Sequence, residues 1–152
     1  MGLVYLSPVP WDSFAQRPHK FVEWFHRRTG KKVLWIDPYP TRFPSISDFR
    51  RFGSKKNSEQ KVELPWLQVI RPSAIPIEPL PGSGYVNQFI WKDVFHNVDI
   101  FSGEEIPLIV IGKPSVLASI IIRRMQNCFS VYDAMDDFPA FYSGLSRLAM
   151  SW

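Results

Sequence analysis

Five four-residue runs, apolar at nearly every position, punctuate the chain: Leu3–Leu6, Val33–Ile36, Leu67–Ile70, Leu108–Ile111 and Phe129–Tyr132. A strand with one face in water alternates apolar and polar residues, whereas a continuous run suits a strand covered on both sides, as in a parallel sheet. Helical spacings fill most of the gaps. Pro18 to Thr29 carries Phe21, Val22 and Phe25 on one face and meets a stop at Gly30. Val86, Phe89, Ile90, Val94, Val98 and Phe101 recur at threes and fours, as do Leu117, Ile120, Ile121 and Met125, and then Phe141, Leu145, Leu148 and Trp152. Strands alternating with helices imply right-handed crossovers. The expected fold is therefore α/β: a Rossmann-like, doubly wound, mostly parallel sheet of about five strands with helices on both faces.

In that architecture ligands lie at the carboxyl ends of the strands, so the residues that follow each run are the candidates for function. Prolines mark several of these ends: Pro8, Pro10, Pro38, Pro40, Pro72 and Pro114. Pro18, Pro114 and Pro139 also suit the first turn of a helix, where a missing N–H costs little. Tyr39 to Pro65 reads as an irregular connection with one short helix around Asp48 to Phe52.

A length of 152 residues suits one domain, and 45% apolar content excludes disorder. The apolar stretch Ile106 to Ile122 is broken by Lys113-Pro114, against a membrane span. The lone Cys128 reads as a core thiol in a reducing compartment, and no basic segment ahead of an apolar run marks a secretory signal. The expected location is the cytoplasm.

Charge is unevenly distributed. Up to Lys61 there are 12 Lys/Arg against 5 Asp/Glu; beyond it there are 6 against 9. Arg27, Arg28, Lys31 and Lys32 lie near Trp24 and Phe25; Arg42, Arg50, Arg51, Lys55 and Lys56 lie near Phe43, Phe49 and Phe52. Cations among aromatics suit an anionic membrane surface as well as a plain solvated face. No nucleic-acid recognition motif accompanies them, so nucleic acid is not an expected partner.

The segment after the first run, "SPVPWDSFAQRPHKF", has no glycine, so it lacks the turn with which a dinucleotide-binding fold approaches a pyrophosphate. It offers Trp11, Asp12, Arg17 and His19 at the expected crevice mouth. An indole stacks on a sugar face, and the other three hydrogen-bond hydroxyls or phosphate; equally, Trp11 fills the core edge and Asp12 caps a turn. Lys113, in "IGKPS", sits at the same end, either facing an anion or simply exposed. A receiver domain would need paired acids where this chain has Ser7-Pro8. Asp133, Asp136 and Asp137 follow the fifth run. One or two such carboxylates can cap a helix led by Pro139; a third leaves room for a general base, with Asp136 the first choice, Asp133 next and Asp137 the more natural cap. No His/Cys/Asp/Glu set has metal-ligand spacing.

Two stretches together resemble GT-B fold glycosyltransferases of the group 1 type that build bacterial polysaccharides. "WDSFAQRPHKFVEWFHRRTGKKVLWIDP" is similar to the opening of such enzymes, and "VYDAMDDFPAF" resembles their Tyr-Asp-x-x-Asp-Asp-x-x-x-Phe segment. The resemblance implies a single Rossmann-like N-terminal domain over residues 1–152, with the C-terminal nucleotide-sugar domain outside this chain. It implies an acceptor side lined by Trp11, Asp12, Arg17 and His19, with Lys113 and Asp137 contributing, and a cleft floor formed by Asp133, Asp136 and Asp137, of which Asp136 and Asp133 are the catalytic candidates. It implies no bound cofactor or metal, a nucleotide-sugar as co-substrate, and a glycan or lipid-linked acceptor in cell-surface polysaccharide or lipopolysaccharide synthesis. The setting it implies is the cytoplasmic side of the inner membrane, with peripheral contact through the basic surface. The rival expectation is a noncatalytic α/β module that binds a protein partner or a small anion.

Overall fold

The computed structural model describes residues 1–39, 64–74, 83–103, 106–125 and 128–134. In chain order the elements are β1 (Leu3–Leu6), α1 (Arg17–Thr29), β2 (Val33–Ile36), β3 (Leu67–Ile70), α2 (Ser83–Ile90), α3 (Lys92–Ser102), β4 (Leu108–Ile111), α4 (Val116–Arg124) and β5 (Phe129–Tyr132). All five expected strands are present. They pair in parallel in the order β3-β2-β1-β4-β5, with Leu3 level with Val33 on one side and Leu108 on the other. The chain moves outward from β1 to β3, crosses back to the other side of β1, and moves outward again to β5. The reversal lies between β1 and β4, where a crevice is expected at the strand ends.

The pleat sorts the central strands into two cores. Leu3, Tyr5, Val33, Trp35 and Val110 point to the face covered by Val22 and Phe25 of α1. Val4, Leu6, Leu34, Ile36 and Ile109 point to the other, against Val94, Phe95 and Val98 of α3 and Leu117, Ala118 and Ile121 of α4. Helices therefore cover both faces, which is why β1 and β2 are apolar at every position. Each such side chain contributes roughly 1.5–3 kcal/mol on burial, so the two central strands carry much of the stability.

Helix ends follow local chemistry. Gly30 adopts the left-handed conformation (φ 67°) and its N–H bonds the His26 carbonyl at 2.7 Å, closing α1 where the sequence predicts. Ser115 caps α4, its Oγ accepting from Ala118 N at 3.2 Å. Pro114 thus precedes the cap and does not occupy the first turn, in contrast to the expectation.

The apolar stripe from Val86 to Phe101 is divided between two helices at Trp91. Trp91 is fully buried, its ring against Tyr39 and its Nε1 donating to the Ser73 carbonyl at 3.0 Å. That anchoring commits α3 to the core. Tyr85, Val86 and Phe89 of α2 remain exposed. β5 also departs from the buried pattern: all four of its residues are exposed, whereas β3, at the opposite edge of the sheet, is mostly half-buried. Cys128 is partly buried against the α3/α4 core. The expected helix around Asp48 to Phe52, the second basic cluster, Pro139 and the stripe Phe141 to Trp152 lie outside the described residues. Among those described, no helix is long and apolar enough to cross a membrane.

Candidate functional site at the carboxyl rim of the sheet

The ends of β1, β2 and β4 border a shallow crevice with only about 20 Å³ of interior space, open to solvent and lined by Ser7, Asp37, Tyr39, Lys113 and the α4 cap Ser115. Ligand pockets run to roughly 300–1,000 Å³, so a ligand here would lie against an open wall. Close backbone approach builds this wall. Gly112 N donates to Leu6 O at 2.8 Å, and a β-carbon on Gly112 would stand 2.6 Å from Pro8 Cδ. Ser7 Oγ donates to Val9 O at 2.7 Å and accepts from Val9 N at 3.1 Å, turning the chain out of β1.

Within the following loop His19 is buried. The Gln16 N–H donates to its Nδ1 at 3.2 Å, which leaves Nε2 as the protonated nitrogen, donating to the Trp11 carbonyl at 3.1 Å. Both ring nitrogens thus hold the loop to the start of α1. Trp11 is partly buried, edge-on to Trp35 at 5.0 Å and tilted against the His19 ring at 5.1 Å. The indole therefore packs mainly inward. The aromatic ring this loop exposes is Phe14, at 80%.

Asp37, which ends β2, organises the same region. Its Oδ1 accepts from the Trp11 N–H at 2.8 Å and from Trp35 Nε1 at 2.8 Å, and its Oδ2 accepts from Arg71 Nε at 3.2 Å. Arg71, just past β3, pairs through Nη2 with Asp12. A buried carboxylate is costly unless its oxygens are satisfied; here three donors from three parts of the chain meet that need.

Asp133, at the end of β5, forms a second cluster. Arg17 Nη2 donates to Oδ1 at 2.6 Å and the Tyr5 hydroxyl donates to Oδ2 at 3.3 Å. The Asp133 N–H also extends the ladder, bonding Ile111 O at 2.9 Å. Burial, and then the charge and hydrogen bond of Asp133, raise the Tyr5 pKa well above the usual phenol range, while the Arg17 cation opposes the rise. Tyr5 is consequently held as a donor.

The expected residues Trp11, Asp12, Arg17, His19, Lys113 and Asp133 all belong to one rim. Arg17 bonds Asp133 directly; Trp11 and Asp12 reach each other's neighbourhood through Asp37 and Arg71. Asp136 and Asp137 lie outside the described residues. Among described residues no three His, Cys, Asp or Glu gather to hold a metal ion. Tyr5, Asp37 and Arg71 are functional candidates that the sequence reading passed over. Compared with protein-family profiles, curated proteins and solved structures, the chain finds no match. Function has to be read from the rim itself.

Proposed function

We propose that this chain is the acceptor-side domain of a nucleotide-sugar-dependent glycosyltransferase of the GT-B type, acting in cell-surface polysaccharide synthesis. The supporting observation is the bond of 2.6 Å between Arg17, beyond the Trp11 loop, and Asp133, beyond β5. Segments more than a hundred positions apart, each carrying part of the family resemblance, meet at the strand ends of an α/β fold.

Chemistry divides the acidic residues. Both Asp133 oxygens are engaged, so Asp133 serves best to orient Arg17 and Tyr5 toward an acceptor. Asp136 is the first choice for the base that removes a proton from the acceptor hydroxyl in an inverting transfer. The donor would be held chiefly by a second domain, with no resident cofactor on this one. Arg27, Arg28, Lys31 and Lys32, with the exposed Trp24, suit peripheral contact with anionic headgroups at the inner membrane.

Titration of this chain with lipid-linked acceptor and with nucleotide-sugar tests the assignment. Acceptor should bind, nucleotide-sugar should bind weakly, and Arg17→Ala should weaken the acceptor alone. Preferential donor binding, or an acceptor affinity indifferent to Arg17, refutes the domain assignment. In the two-domain enzyme Asp136→Asn should lower turnover by about 10²–10⁴ with folding intact; undiminished turnover refutes the assignment of the base.

A further inference from the structure

We propose that Arg71 is an oxyanion-binding residue, held ready by Asp37 and occupied in the free protein by Asp12, which a phosphate-bearing ligand displaces. Its two contacts differ in kind. The bond from Nε goes to the Asp37 carboxylate, whose side chain is only 7% exposed; the bond from Nη2 goes to Asp12, whose side chain is 67% exposed. The inner bond fixes the plane of the guanidinium by using the one nitrogen nearest the stem. Nη2 then reaches out to the exposed Asp12 carboxylate just past β3, with the Arg71 side chain about half exposed.

The outer bond is the exchangeable one. An ion pair between exposed groups contributes only about 0–1 kcal/mol, because water competes for both partners. A phosphate carries ~1.5–2 negative charges at neutral pH and three acceptor oxygens, and it matches a guanidinium fork with two parallel hydrogen bonds. It therefore outcompetes a single solvated carboxylate. The charge of Asp37 is shared between Arg71 itself and two further donors, the Trp11 N–H and Trp35 Nε1, which reduces its opposition to an incoming anion. Displacement frees Asp12, which adjoins Trp11 in the β1–α1 loop, so anion binding and the position of that loop are coupled. The inference stands apart from any assignment of reaction: the site would exist in a binding module as well as in a transferase.

The test is a titration of the full chain with inorganic pyrophosphate, followed by the Arg71 Nε–H resonance and the Trp11 amide in a ¹H–¹⁵N spectrum. Both should shift saturably. Asp12→Asn removes the internal competitor at an exposed position and should tighten binding by up to about fivefold, the ceiling set by an exposed pair. Asp99→Asn, which removes the same charge from the pair that Asp99 of α3 makes with Arg124 of α4, should leave affinity unchanged. Arg71→Lys keeps the cation but loses the fork and should weaken binding. An Arg71 signal indifferent to pyrophosphate overturns the proposal, and so does equal tightening by Asp12→Asn and Asp99→Asn. Nucleoside monophosphate and a short alkyl phosphate, run as separate arms, distinguish a nucleotide from a lipid as the source of the phosphate.

Discussion

Replacing Asp37 separates the two jobs its carboxylate performs. In Asp37→Ala the fully buried Trp35 loses the partner of its Nε1, at about 1–3 kcal/mol for an unsatisfied buried donor. The Trp11 N–H, part-buried, loses its acceptor at roughly 1 kcal/mol, and Arg71, half exposed, turns to water at about 0–1 kcal/mol. The expected loss is about 2–5 kcal/mol, overlapping the cost of breaking other buried pairs by removing one partner. Asp37→Asn is different: its amide oxygen keeps both Oδ1 bonds, while its NH₂ meets Arg71 Nε donor to donor. That loss should stay near 1 kcal/mol.

At about 2–4 °C per kcal/mol for a chain of this size, the alanine variant should melt roughly 4–20 °C lower and the asparagine variant about 2–4 °C lower. Urea unfolding followed by tryptophan fluorescence gives the free energies directly, with an unchanged slope showing that the same surface is exposed. The indole N–H resonance of Trp35 should move in Asp37→Ala and hold in Asp37→Asn. Equal destabilisation by the two variants, or a loss under 1 kcal/mol for alanine, refutes the hub.

Gly112→Ala places a methyl 2.6 Å from Pro8 Cδ and 3.1 Å from Leu6 O, so the exit of β1 must shift; the expected cost is about 1–3 kcal/mol, read as a lowered urea midpoint, and an unchanged midpoint refutes the close approach. Tyr5 keeps its proton in the folded state above the pH at which an unfolded tyrosine, near 10.0, loses it. The unfolded state then binds fewer protons, so stability should fall as pH rises past about 10, by up to ~1.4 kcal/mol per pH unit from this group. Tyr5→Phe should lose that part of the alkaline slope while costing about 1 kcal/mol at neutral pH; an identical slope in both proteins counts against the buried phenol. Ser115→Ala should cost about 0.5–2 kcal/mol and Ser115→Gly only a few tenths, and the reverse order would contradict the cap on α4.

The strands were legible because burial on both faces leaves a simple mark. Trp35 and Ile36, or Val4 and Tyr5, are apolar whichever way they point, and the described packing gives the reason. Asp133 was legible as an acid ending a strand. Asp37 carries the same mark, "WIDP" beside "VYDA", yet its importance lies in donors at Trp11, Trp35 and Arg71 that no local pattern brings together. Tyr5 was hidden more deeply. It reads as one apolar residue in a buried run, and its hydroxyl gains meaning only through Asp133, 128 positions away. The helical stripe from Val86 to Phe101 misled for a related reason: spacing reports which residues share a face, and the burial of Trp91 decides how much of that face meets the core.

The charges of the rim bear on how it would work. Asp12, Arg17, Asp37, Arg71 and Asp133 each have a partner in the free protein, yet the pairs are unequal: Asp37 is buried on three donors, whereas Arg17 and Asp12 reach their partners from exposed positions. Buried members fix geometry and exposed members exchange, because water has already lowered the cost of parting them. A polar ligand entering at the ends of β1 and β2 thus finds two arginines whose carboxylate partners differ in how firmly they hold. Arg17 would part from an Asp133 that keeps the Tyr5 hydrogen bond, and Arg71 would part from Asp12 while Asp37 retains it. Hydroxyls or oxyanions bound there would take the places of carboxylates that already hold the two arginines in the free protein.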